Sequence, residues 1–416
     1  MRQAYRILPV YTGDVSGVCS ALYELGGMVV MHDPSGCNST YNTHDEIRWY
    51  DRDSLIFLSG LCEPDAIMGN DAKFIEDVVR AAQEFSPAFI ALCNSPIPYL
   101  TGTDFAGICR IIEHRTGIPS FYIPTNGMHD YISGAGLAFE KLAEKLFGEG
   151  NPESAQVDRK ESGKQESGRR ESDHQESGRE NREIRVNILG MTPLDYAADT
   201  CCGSLREILE AEGFRVVSVW AMGDTLEQLR KAGDADVNLV VSASGLRAAR
   251  YLQKCFGTPW VAGAPVGIAA KELLERLRQA AAGGESGPFY GRGREETRDL
   301  PQCIVIGEPV LSCSIAEDCE AKDMRTKVIA ATEESESLLR PGDLICRGEE
   351  EIENTLKVLC KPGTLVIADP MYGYVLPEGA ELEEAPHLAF SGRIYRKRFR
   401  DPFQGGFITK GESDGT

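Results

Sequence analysis

Short apolar runs alternate with amphipathic stretches through most of the chain. Phe89-Ile90-Ala91-Leu92, Val186-Asn187-Ile188-Leu189, Val216-Val217-Ser218-Val219, Asn238-Leu239-Val240-Val241, Cys303-Ile304-Val305-Ile306 and Thr364-Leu365-Val366-Ile367 are brief and rich in aliphatic side chains. That pattern predicts buried strands, and residues 28–31 read the same way. Amphipathic helices are predicted over residues 73–84, 205–212, 225–232 and 246–256. In the second of these, Leu205, Ile208 and Leu209 fall three and four apart, on one face. Strand, helix, strand repeated along the chain predicts an α/β protein of three doubly wound parallel-sheet, Rossmann-like domains. Ligands on such sheets sit beyond the carboxyl ends of the strands, so the chemistry is expected there.

The alternation breaks twice. Residues 151–184 carry Glu161-Ser162-Gly163, Glu166-Ser167-Gly168, Glu171-Ser172-Asp173 and Glu176-Ser177-Gly178, a five-residue repeat almost without apolar side chains. Such a segment buries too little surface to offset the entropy of ordering and is expected to be a disordered linker. Residues 281–300, with Gly283-Gly284-Glu285 and Gly291-Arg292-Gly293, are expected to form a shorter flexible connection. The domains are then residues 1–150, 185–280 and 301–416.

Composition narrows the function. In 416 residues, Lys and Arg total 44 against 64 Asp and Glu, a formal charge of −20. A surface that acidic disfavours nucleic acid as a partner, since phosphate neutralisation needs clustered cations. No apolar run approaches the ~18 residues of a membrane span, and Met1-Arg2-Gln3-Ala4-Tyr5-Arg6 lacks the character of a signal peptide. A cytoplasmic protein is expected. The 13 cysteines are then expected to be reduced, as buried small hydrophobes or metal ligands.

There is no Walker loop, His-Glu-x-x-His or Gly-x-Ser-x-Gly. Ser133-Gly134-Ala135-Gly136 is a fragment of a dinucleotide fingerprint with no strand directly before it. The cysteines of the first domain say more. Cys19 is expected near a helix start, where the dipole favours thiolate. Cys37, after the turn Asp33-Pro34-Ser35-Gly36, is expected at a strand's carboxyl end, as are Cys62 and Cys93. All four are candidate iron–sulfur ligands, and each alone also reads as a buried structural thiol. No Cys-x-x-Cys occurs.

His32-Asp33-Pro34-Ser35-Gly36-Cys37 resembles the His-Gly-Pro-x-Gly-Cys turn of nitrogenase component 1 subunits and their relatives, the dark-operative protochlorophyllide reductase subunits and cofactor-assembly scaffolds. Ser59–Gly69, Ile97–Asp104, Leu205–Val219, Gly223–Leu226, Ile304–Glu308, Ile367–Pro370 and Pro386-His387 extend the resemblance over nearly the whole chain outside the linkers. The resemblance implies a nitrogenase component 1-like fold and an oxidoreductase, or alternatively an assembly scaffold of that fold. It also implies a homodimer or a heterodimer with a related subunit, and an interface iron–sulfur cluster, [4Fe–4S] if two cysteines come from each chain. Electrons would arrive from an ATP-dependent iron protein-like reductase.

The sequence departs from that pattern in places. Only Cys37 matches its position outright. Cys19 lies beyond Thr12-Gly13-Asp14, where the first ligand is expected, and Cys93 falls short of Pro96, where the third is expected. Cys37 and Cys19 are the leading metal pair, with Cys93 and Cys62 in reserve. Ser242 stands where the larger nitrogenase cofactor takes a cysteine, and His387 is close to that cofactor's histidine, or is structural. The polar stretch 38–46, with His44, reads as an aid to the cluster or as a capped helix start. Asn126–Asp130 lines the same crevice or forms a turn. Cys201 and Cys202 read as structural.

Overall fold

The computed structural model describes residues 5–34, 46–148, 183–291 and 299–407. Their strands form three sheets in which every pair is parallel. The first holds β1 (Met28–His32), β2 (Leu55–Leu58), β3 (Ile90–Asn94) and β4 (Ser120–Tyr122) in the order β2-β1-β3-β4. The second holds β5 (Ile184–Leu189), β6 (Phe214–Val219), β7 (Val237–Val240), β8 (Trp260–Ala262) and β9 (Gly287–Pro288), ordered β6-β5-β7-β8-β9. The third holds β10 (Cys303–Gly307), β11 (Thr326–Ala330), β12 (Leu344–Ile345), β13 (Leu365–Ala368) and β14 (Glu381–Glu384), ordered β12-β11-β10-β13-β14. In each sheet the order reverses beside the first strand, the position where open α/β sheets bind ligands.

β1, β3 and β10 are buried along their whole length because helices cover both faces, hence their unbroken apolar runs. The helix predicted over residues 246–256 is Leu246–Phe256, and that over 73–84 is Asp71–Phe85. The one predicted over 225–232 is only Leu226–Leu229, followed by a 3-10 turn, Ala232–Asp234. A Cβ at Gly233 would stand 2.9 Å from the Phe256 ring, so a glycine lets this turn pack against that aromatic. Nor do residues 281–291 behave as a flexible connection. Gly287–Pro288 pairs with β8, and Phe289 and Tyr290 are buried in the second core, two aromatics that anchor the edge strand.

Ser133-Gly134-Ala135-Gly136 is no phosphate loop. It lies inside the buried helix Tyr131–Phe147, which crosses the helix Asp14–Leu22. A Cβ on Gly134 would come within 1.9 Å of the Asp14 carbonyl oxygen, and one on Gly17 within 2.3 Å of that of Tyr131. The glycines are there because the two backbones touch.

The domains are bound tightly to one another. Arg48, buried, reaches from the first domain to the Ala221 carbonyl of the second at 3.3 Å while pairing with Glu46 and Glu24. Asp130 caps Tyr131–Phe147 and also accepts the Glu333 N–H of the third domain at 2.6 Å. The second and third domains meet where Ala264 N–H donates to Ser314 Oγ and Arg247 pairs with Glu334. The N-terminal segment crosses to the far end of the array: the N–H groups of Arg6, Ile7 and Leu8 all donate to the Glu349 carboxylate, at 2.7, 2.7 and 2.9 Å. Thr12 N–H then donates to the Ala389 carbonyl at 2.7 Å. Among the described residues no helix is long and apolar enough to cross a membrane.

Candidate active site

Two places gather chemistry-bearing side chains at strand ends. The first is the carboxyl end of the first sheet. There His32 closes β1, 6% exposed, with its ring 4.1 Å from that of Phe74 and Nδ1 2.8 Å from Ser59 Oγ. Burial pushes its pKa down to about 4, so the imidazole is neutral. It lines a cavity of ≈ 390 Å³ with Ser59, Asp65, Lys73, Phe74 and Asp104.

The three described candidate cysteines, Cys19, Cys62 and Cys93, do not come together as one group. Cys37 lies outside the described residues, as does most of the stretch 38–46; Glu46 is described and holds Arg48. Cys19, expected near a helix start with thiolate character, is instead in the buried body of Asp14–Leu22. Its thiol meets that of Cys93, both 0% exposed within the first domain's apolar core. Burial, then Cys93, pushes the Cys19 pKa far up, the opposite of what a metal-binding thiolate needs. Cys19 therefore lies in the core and not at a surface, and Cys93 shares that position.

Cys62 differs. It is exposed, at the N-terminus of Glu63–Met68, and donates to Asp65 Oδ2 at 2.9 Å. That thiol, Lys73 Nζ and Asn70 hold the Asp65 carboxyl well below its usual range. The N–H of Leu61 donates to the Asp33 carbonyl at 2.9 Å. Cys62 thus sits beside Asp33 and Pro34, the residues that lead into the Cys37 segment. Among the described residues no group of three or more His, Cys, Asp or Glu side chains is arranged to hold a metal ion.

The second place is the junction of all three domains, a narrow crevice of ≈ 50 Å³. Glu308 follows β10 directly, Asp369 follows β13, and His387 stands between β14 and the short helix Leu388–Ser391. Asp195 comes from the loop after β5, and Tyr131 from the start of its helix. Asp195 Oδ1 accepts from Tyr131 Oη and from His387 Nε2, the latter at 3.1 Å. His387 N–H and Ser391 Oγ both donate to Asp369 Oδ2, at 2.8 and 2.7 Å. Glu308 accepts from Ala243 N–H of the second domain at 2.7 Å and from Leu311 N–H at 2.8 Å.

Because Asp195 is the acceptor, the His387 proton is placed on Nε2, leaving Nδ1 as a buried base without a partner among the described residues. Burial, with Asp195 near, pushes the Glu308 pKa up to about 8, and burial raises Asp369. The crevice therefore holds an imidazole, one of its ring nitrogens unpartnered among the described residues, together with a carboxyl group that keeps its proton at neutral pH. This set can move protons. It cannot hold a large metal cluster: Ser242 offers a hydroxyl bound to Ser244 Oγ at 3.0 Å, not a thiolate, and the space is small.

Sequence reading singled out His387 here but gave no role to Asp195, Tyr131, Glu308 or Asp369. Glu308 and Asp369 carry a usable signal, each being the first polar residue after an apolar strand. The segment Asn126–Asp130, expected to line the crevice at the first domain's strand ends or to form a turn, is not in the lining of the cavity beside His32: Asn126 and Gly127 donate their N–H to Asp14, and His129 meets Glu333 at 3.0 Å. Cys201 and Cys202 open the helix Cys201–Ala211, the first of them buried.

Residues 17–300, more than half of the chain, match the family described as Nitrogenase component 1 type Oxidoreductase. The chain belongs to that family. Among similar proteins, the nitrogenase iron-molybdenum cofactor biosynthesis protein NifE of Klebsiella pneumoniae is 24% identical over 258 residues, covering 61% of this chain and 51% of that protein. A subunit of the light-independent protochlorophyllide reductase of Zygnema circumcarinatum is 35% identical over 108 residues, 26% of this chain and 21% of that one. The nitrogenase molybdenum-iron protein alpha chain of Clostridium pasteurianum is 21% identical over 229 residues, 54% and 37% of the two. This member of the nitrogenase component 1 family thus matches about half or less of the length of these curated relatives. The solved structure "Nitrogenase Cp1 at pH 5" superposes with a TM-score of 0.58 at 14% identity, over 92% of this chain and 84% of that one, a likeness of fold.

Proposed function

We propose that the chain is one subunit of a component 1-type oxidoreductase that takes electrons from an ATP-dependent iron protein and reduces a small substrate at the three-domain crevice. The observation carrying this reading is the Tyr131–Asp195–His387 chain beside Glu308, proton-active groups at the strand ends where these folds bind ligands. Each two-electron reduction consumes two protons. Glu308 supplies one from its carboxyl oxygen. His387 relays another at Nδ1, while Asp195 steadies the imidazolium through Nε2.

An iron–sulfur cluster at the subunit seam would supply one-electron transfer. Cys62 is the exposed thiol that suits it among the described cysteines of the first domain, and Cys37 joins it as the residue in the family-like turn. Two such thiols from each of two chains make four. Anaerobic purification with iron and sulfide analysis and electron paramagnetic resonance tests the reading. Iron bound, and lost on Cys37→Ser, supports it; a colourless, iron-free dimer removes it.

The second reading is a scaffold that carries a cofactor precursor without turnover. It is favoured by the retreat of Cys19 and Cys93 into the core and by the long match to NifE, named as a biosynthesis protein. Multiple-turnover reduction with an iron protein present would decide against the scaffold.

A further inference from the structure

The chain has a formal charge of −20, yet Arg393-Ile394-Tyr395-Arg396-Lys397-Arg398-Phe399-Arg400 holds five cations and no anion. This strip starts one turn after His387 and forms the 3-10 turn Gly392–Arg398. It is fixed beside the crevice at two points. Arg398 makes both its contacts with Glu384 at 2.8 Å, and Arg400 pairs with Glu383, the last two residues of β14. The next three residues, Ala385, Pro386 and His387, line the crevice, as does Arg400 itself. Arg396 and Lys397 are exposed and meet no carboxylate within ion-pair distance among the described residues. Ile394, 74% exposed, and Tyr374, 67% exposed, lie in the same region, so the strip presents apolar surface along with charge.

Charge therefore changes over a short path, from the strip of cations beside the crevice, with Arg400 in its lining, to the Asp195 carboxylate and the carboxyl groups of Glu308 and Asp369 inside. An anionic group is attracted to the mouth and repelled from the interior. The interior has room for only a few heavy atoms. A long polyanion such as nucleic acid would meet the acidic remainder of the surface. The cations are strung along a turn, with two guanidinium groups already committed to Glu383 and Glu384, and do not converge on one point. That spacing suits several separate carboxylates better than one compact phosphate group.

We propose that the molecule handled at the crevice is an organic polycarboxylate, its carboxylates resting on the Arg393–Arg400 strip while a small uncharged end enters between Asp195, Glu308 and His387. This rests on the crevice being the reaction site, as proposed above, and names the substrate class for it. Electrostatic capture at the strip then orients the molecule with its reducible end toward the proton-bearing groups.

The test is calorimetric titration of the full chain with 5-vinylbenzene-1,3-dicarboxylate, benzene-1,3-dicarboxylate, the corresponding vinyl diamide, and pyrophosphate. The dicarboxylates are expected to bind and the diamide is not, with affinity falling roughly tenfold between about 20 and about 200 mM NaCl as the charges are screened. The vinyl group is expected to add roughly tenfold by burial of its two carbons. Arg396→Ala with Lys397→Ala should weaken binding roughly tenfold, the charge-keeping pair Arg396→Lys with Lys397→Arg should restore most of it, and Arg80→Ala on a distant helix should change nothing. Equal binding of the diamide, no gain from the vinyl group, an unaffected double alanine variant or tighter binding of pyrophosphate each overturns the proposal. The titration needs no iron, so iron-free protein that binds keeps this inference while losing the redox reading. Iron-bearing protein that ignores the vinyl compound does the reverse.

Discussion

Asp195 of the second domain accepts a hydrogen bond from His387 Nε2 of the third at 3.1 Å, and the same Oδ1 accepts from Tyr131 of the first. One carboxylate oxygen therefore joins three domains, and Asp195 has no exposed side-chain surface. Asp195→Ala leaves a buried phenol and a buried imidazole without their acceptor. It is expected to lower stability by about 3 kcal/mol in urea titration. Asp195→Asn, which keeps one acceptor oxygen, should lose about half as much. Asp195→Ala should abolish any reductive turnover, because the His387 proton is no longer held on Nε2, while Asp195→Asn should lower it by removing the charge that steadies the imidazolium.

The cysteines separate by environment. Cys19→Ser puts a hydroxyl into an apolar core and should cost about 1–3 kcal/mol without altering the iron content of anaerobically purified protein. Cys62→Ser should leave the unfolding midpoint within about 0.5 kcal/mol of the parent and reduce iron by half or more. If iron instead follows Cys19 and ignores Cys62, the assignment of ligands is wrong.

Stability should have a defined pH dependence. Glu308 holds its proton in the folded chain up to about pH 8, whereas the unfolded carboxyl releases it near its ordinary value of 4.5. Between those limits the folded state binds more protons, so its stability is complete at the acid end and declines as pH rises, by up to ~1.4 kcal/mol per pH unit. Asp130, pushed by burial up to about 7, adds a second decline in the same direction. His32 acts oppositely: its pKa of about 4 lies below the ordinary 6.5, so stability present above 6.5 is lost as pH falls toward 4. Chemical denaturation from pH 5 to 9 should show a loss on the alkaline side, and Glu308→Gln should flatten it. An unchanged slope in that variant would locate the titration elsewhere.

Gly134→Ala should be among the most damaging single-methyl additions in the first domain. The new methyl would overlap the Asp14 backbone, which has no side-chain freedom to yield. A loss of about 2–3 kcal/mol is expected, with Gly17→Ala similar. Gly203→Ala, in a helix where a Cβ meets nothing within 4 Å, serves as the neutral or stabilising comparison.

The fold was readable where a strand is buried on both faces. Cys303-Ile304-Val305-Ile306 is a continuous apolar run because helices cover both sides of it, and in Val186–Leu189 the one polar residue, Asn187, is buried with its amide bonded to Asn238 and the Ala232 carbonyl. The edge strands β14 and β9 gave no such signal. β14 reads Glu-Leu-Glu-Glu and β9 is Gly-Pro, both held by pairing at the sheet margin. The site was less readable, for a physical reason. Asp195, Tyr131 and His387 lie far apart in sequence and acquire chemical meaning only when three domains dock. Cys19 misled because a helix-start thiol and a mid-helix core thiol look alike until the partner helix, Tyr131–Phe147, is placed against them.

The crossing of residues 5–12 onto the third domain means that the order of attachment in space differs from the order of synthesis. The opening residues are secured by Glu349 and Ala389, which leave the ribosome more than three hundred residues later. A chain severed within residues 149–182 should accordingly remain a single particle, its two fragments re-associating when co-expressed.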